Sequence, residues 1–98
     1  MASNKEYLDY VLDLLREVDN IACKRMMGEF LLYQDGTLFG GIYDNRFLVK
    51  KTPSLKQYGF SEEEPYKGAK MMYLIDIEDK DLIKEVIEKV VSDLNGEH

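Results

Sequence analysis

The chain has 98 residues, a length suited to one domain with one hydrophobic core. Hydrophobic residues make up 45% and charged residues 33%, a balance that excludes disorder, and no apolar run approaches the ~20 residues a membrane-spanning helix needs. The net charge of −6 argues against direct DNA binding through the phosphate backbone, and the single cysteine, Cys23, excludes an intrachain disulfide and a multi-cysteine zinc site.

The opening MASNKEYLDY has no apolar core of signal-peptide type, so the cytoplasm is the expected location. Ser3 and Glu6 have capping-box spacing and predict a helix start. Leu8, Val11, Leu12, Leu15 and Val18 then follow as one apolar stripe of helical period, with a stop near Asp19-Asn20. Residues 21–27 alternate loosely and predict a first strand, interrupted by Gly28. Residues 30–33 predict a second strand, and Asp35-Gly36 a tight hairpin turn. Residues 37–43 predict a third strand, Asp44-Asn45 another short turn, and residues 46–51 a fourth strand.

The connector TPSLKQYGFSEEEPYKGAK holds a predicted short helix over residues 53–58 ending at Gly59, a solvated loop around Glu62-Glu63-Glu64-Pro65 and a turn at Lys67-Gly68. A last strand is expected over residues 71–77. Asp76 or Asp79 then caps a closing helix whose apolar face runs from Leu82 through Ile83, Val86, Ile87, Val90 and Val91 to Leu94, stopped by Asn95-Gly96. With no repeat and no linker, residues 1–98 read as a single domain. Its class is α+β, a two-layer arrangement in which an antiparallel sheet, a meander plus one later strand, is flanked by N-terminal and C-terminal helices.

Reactive groups are sparse. The only histidine, His98, is the last residue, and a chain terminus cannot hold a preorganised general base. No Ser-His-Asp or Cys-His arrangement is therefore expected, nor any cofactor, metal or catalytic residue. Gly40-Gly41 lies inside a strand and does not open a helix, so it signals a β-bulge or room for a large side chain, or else close approach of a ligand or another backbone, rather than a phosphate loop. Cys23 and the pairs Met26-Met27 and Met71-Met72 are expected to be core residues.

Charge is uneven along the chain, with a net of −3 over residues 1–23, +2 over residues 24–70 and −5 over residues 71–98. A mildly basic sheet between acidic helices follows. Its candidate partner- or ligand-binding residues are Arg25, Tyr33, Lys50 and Lys70, cations and an aromatic that could meet an acidic partner, a phosphate or stacked bases.

Several of these pieces also form a joint pattern. Arg25-Met26-Met27-Gly28-Glu29-Phe30, Leu32-Tyr33, Asp35-Gly36, Phe39-Gly40, Ile42 and Phe47-Leu48-Val49-Lys50 stand in this order, followed by Pro65-Tyr66-Lys67-Gly68-Ala69-Lys70, a tyrosine strand, an acidic turn and an amphipathic helix. The whole resembles the N-terminal domain of the TfoX (Sxy) family, with Met27 where that family usually carries an aromatic. The resemblance implies an α+β domain with an antiparallel sheet, linked to bacterial competence and DNA transformation, and it supplies no catalytic residues. Longer members carry a C-terminal module resembling helix-hairpin-helix, which these 98 residues do not include. The function expected is that of a non-enzymatic cytoplasmic interaction and regulatory domain, acting on an unidentified protein partner or as a homodimer through a sheet edge and not on membranes. The alternative is a small-ligand or nucleic-acid-binding domain using the basic sheet surface.

Overall fold

Three two-residue turns set the plan of the molecule. The computed structural model describes residues 3–96; His98 lies outside the described residues. Met27-Gly28, Asp35-Gly36 and Asp44-Asn45 all have positive φ at both positions, between 49° and 84°. That is the type I′ geometry whose twist matches antiparallel strands. It folds β1 (Ile21–Met26), β2 (Glu29–Gln34), β3 (Thr37–Ile42) and β4 (Phe47–Val49) into a meander. Asp and Asn tolerate the left-handed backbone, and Gly36 occupies it without steric cost.

The chain then makes a 3-10 helix (Pro53–Tyr58), closed by Gly59 in the left-handed conformation, as the Pro53 and Gly59 signals predict. Two further strands follow, β5 (Glu62–Glu63) and β6 (Met72–Leu74), and the sheet order is β1-β2-β3-β4-β6-β5 with every pair antiparallel. Glu62-Glu63, expected as loop, is therefore an edge strand: Glu62 pairs with Tyr73 and Glu63 with Met72. Both carboxylates are held by cations, Lys51 on Glu62 and Arg46 on Glu63, each at 2.7 Å.

Both helices pack on one face of the sheet. α1 (Lys5–Leu14) brings Leu8, Val11 and Leu14, and α2 (Lys80–Leu94) brings Ile83, Val86, Ile87 and Val90. They share one core with Phe30, Leu32, Phe47, Val49, Tyr73 and Ile75, which the strand register places on the same side. The two-layer α+β architecture is the one the hydrophobic pattern predicts. Among the described residues, no helix is long and apolar enough to cross a membrane.

Details of both helix starts are informative. Asp79 caps α2, accepting from the Asp81 and Leu82 N–H groups at 2.9 and 3.2 Å. α1 is capped by Asn4, which accepts from the Tyr7 N–H at 2.8 Å, and not by Ser3. Ser3 is buried and donates its hydroxyl to Glu29, at 2.6 Å. The Glu29 carboxylate also accepts from the Asp44 N–H, so the start of the chain is tied to the β3–β4 turn. α1 ends at Leu14, several residues before the expected stop, and Asn20 enters β1 with φ of 60°.

Gly40-Gly41 builds a bulge. Leu32 pairs with Gly40 while Tyr33 pairs with Leu38, which leaves Phe39 as an extra residue, fully buried. A Cβ on Gly40 would lie 2.3 Å from the Leu48 carbonyl oxygen. One on Gly41 would lie 2.5 Å from that of Phe30 and 2.9 Å from the Tyr43 ring.

Candidate binding surface on the helix-free sheet face

The face of the sheet away from the helices is partly covered by the loop of residues 64–71. Arg46, directly after the β3–β4 turn, anchors that loop. Its guanidinium donates to the Glu63 carboxylate at 2.7 Å and to the carbonyls of Glu64 and Pro65 at 3.0 and 3.2 Å. The planar fork of arginine suits three acceptors at once. Between loop and sheet lies an open pocket of about 460 Å³.

β3 and its turn, the end of β4, the loop, Met72 of β6 and Leu94 at the end of α2 all line it. Leu38 and Tyr43 come from β3 and its turn, Lys50 from the end of β4, and Tyr66, Lys70 and Met71 from the loop. Alternation explains Lys50: Phe47 and Val49 point into the core, so Lys50 emerges on the opposite face. Its N–H donates to the Phe39 carbonyl at 2.9 Å, which holds the backbone in register beyond the strand. Tyr43 and Tyr66 meet at a tilt, 6.4 Å between ring centres. Burial pushes the Tyr43 phenol up, and the neighbouring Tyr66, Glu29 and Tyr33 push in the same direction. Tyr43 is therefore a neutral hydrogen-bonding group at ordinary pH.

The lysines differ in their partners. Lys51 is paired with Glu62, whose hydrogen bond raises its pKa. Among the described residues, Lys50 and Lys70 have no ion-pair partner. The pocket thus presents two free ammonium groups beside two phenols and an exposed methionine, a combination that accepts an anion carrying apolar surface.

The four residues singled out from sequence do not form one cluster. Lys50 and Lys70 line the pocket. Tyr33 is half-buried on the same face, opposite Leu38 and close enough to Tyr43 to affect its ionisation. Arg25 pairs with Phe30, a core-facing residue, and so lies on the helix side of β1, its guanidinium 5.7 Å from the Phe30 ring centre. Tyr43, Tyr66 and Arg46 are not among the candidates that the sequence singles out. Their convergence depends on the loop returning under β4, for which no local pattern exists.

Other expectations change. Cys23 is exposed on β1, as are Met26 and Met27, the latter 96% accessible at a hairpin tip. The core contacts expected of them do not exist: Cys23 lies on the helix side, where the helices leave β1 uncovered, Met26 points to the opposite face, and Met27 stands in the turn. Met72 is buried and Met71 exposed. Among the described residues, no group of three or more His, Cys, Asp or Glu side chains could hold a metal ion.

No family model matches the chain. It is 33% identical over 78 residues to a Spirochaeta aurantia protein described as an uncharacterized 12.7 kDa protein in the trpE 5′ region, a match covering 78% of this chain and 68% of that protein. The chain belongs to that protein's family. That relative's description states no activity, and the chemistry of the sheet face away from the helices is the guide to what this chain does.

Proposed function

We propose that this chain is a non-enzymatic, cytoplasmic interaction domain of the TfoX N-terminal kind, whose helix-free face receives an acidic segment of a partner protein. One observation carries the reading: Lys50 and Lys70 are unpaired among the described residues and share a pocket with Tyr43, Tyr66 and Met71. Cations over an apolar and aromatic floor suit a segment with alternating acidic and apolar side chains, and steer it toward a chain whose helices repel it. The regulatory role in competence and DNA transformation rests on the resemblance of residues 25–50 and 65–70 to the TfoX family.

The same lysines favour a second reading, a nucleic-acid ligand, with Tyr66 at 65% exposure available for base stacking. Titration of the chain with an oligoglutamate peptide and with single-stranded DNA at low salt separates the two. The protein-partner reading expects peptide binding that falls roughly tenfold in the Lys50→Ala, Lys70→Ala double variant, about 1.4 kcal/mol, with no DNA binding. Salt-sensitive DNA binding lost in that variant transfers the site to nucleic acid. Turnover mapped to the chain would overturn the non-enzymatic assignment.

A further inference from the structure

We propose that two copies of this chain pair antiparallel through β1, with Cys23 on the two-fold axis, to form a continuous twelve-strand sheet; this is twice the six strands of one copy. The inference is independent of the helix-free pocket.

The two edges of the sheet are unlike. β5 has two residues, both engaged by Arg46 and Lys51, which blunts that edge. β1 has six residues, of which Ala22–Met26 are exposed, and it pairs with β2 alone. No proline or bulge interrupts it. Such an edge is a template for another strand.

Hairpin geometry says which backbone groups are free. Met26 and Glu29 flank a two-residue turn and form a hydrogen-bonded pair. Counting back by twos, Met26, Lys24 and Ala22 direct their N–H and C=O groups to β2. Ile21, Cys23 and Arg25 direct theirs outward. The Asp35 N–H to Asn20 carbonyl bond, 3.1 Å, continues the same phase beyond the strand.

That phase restricts the symmetric registers, since outward groups must meet outward groups. Full overlap of the six residues is excluded by parity. Two registers retain five paired residues. One centres on Lys24 and sets two like charges directly opposite each other, which is destabilising. The other centres on Cys23, placing Ile21 opposite the partner's Arg25 and Ala22 opposite the partner's Lys24. No charges of one sign are then directly opposed, and the Cys23 pair sits at the axis with small side chains. The second copy fits this edge better than an arbitrary strand because the sequence is self-complementary about Cys23. A six-residue strand buries less than the about 1,000 Å² of a stable complex, so the dimer is weak and concentration-dependent.

Sedimentation equilibrium under reducing conditions tests this with substitutions at exposed Ala22, whose folding is verified by far-ultraviolet circular dichroism. Ala22→Glu places a carboxylate opposite Lys24 twice per dimer and is expected to tighten association by roughly 2-fold to 30-fold. Ala22→Lys is expected to weaken it by a similar factor. A chain monomeric at millimolar concentration overturns the proposal. So does a dimer whose dissociation constant ignores the charge at position 22, because any other interface or register lacks the Ala22–Lys24 pairing.

Discussion

At Gly40 the Leu48 carbonyl oxygen stands where a side chain would begin, at 2.3 Å. The obstacle is backbone of a central strand, so it cannot rotate away. Gly40→Ala is expected to lower stability by roughly 1–3 kcal/mol, or to shift the β3–β4 register, as read from urea unfolding and the amide spectrum. Tyr58 offers a test of opposite character. It donates to the Glu85 carboxylate, and burial first, then that bond, pushes its phenol up to about 12. A folded-state pKa above the unfolded value of 10.0 means stabilisation that is whole below pH 10 and lost as pH rises toward 12. Tyrosinate absorbance is expected to show a last component near pH 12, absent in Tyr58→Phe.

Among the elements, the helix starts show how far local signals reach. Ser3-x-x-Glu6 has the spacing of a capping box, yet Asn4 caps α1 and Ser3 joins Glu29 instead. The two positions differ by one residue, and what separates them is a contact 26 positions away, invisible to a local pattern. Asn4→Ala is expected to cost about 0.5–2 kcal/mol in thermal or urea unfolding, with the lost helicity confined to the first turn of α1. The turns were legible for the opposite reason: Asp35-Gly36 and Asp44-Asn45 carry their backbone conformation in their own residue types. Glu62-Glu63 was not, because two residues become a strand only through partners supplied by β6 and by Arg46 and Lys51.

Across the whole molecule, hydrophobic period located the core, whereas charge did not mark the layers: the strands hold Lys24 and Arg25 but also Glu29, Glu62 and Glu63. The apolar stripes of α1 and α2 are the buried ones, and the alternation of Phe47, Leu48, Val49 and Lys50 orients β4. The candidate site was half legible. Alternation around Val49 leads to Lys50, and Lys70 belongs to the same basic stretch, but Arg25 and Lys50 separate onto opposite faces because the register aligns Arg25 with Phe30, Ile42 and Phe47 on the core side, while Lys50, three positions beyond Phe47, falls on the other. Exposure of Cys23 was hidden for a related reason. An apolar strand reads as buried until the extent of the helical layer above it is known, and here that layer does not cover β1.

The three consecutive two-residue turns have a kinetic consequence. They join neighbours in sequence to neighbours in space from Ile21 to Val49, so the meander has low contact order and can form early and fast, while β4–β6 pairing must await closure of the long connector. Opening should run in the reverse order. In hydrogen exchange, β5 amides are expected to lose protection first and those shared by β2 and β3 last, so that the sheet comes apart from the Glu62–Glu63 edge inward while its central hairpin is still closed.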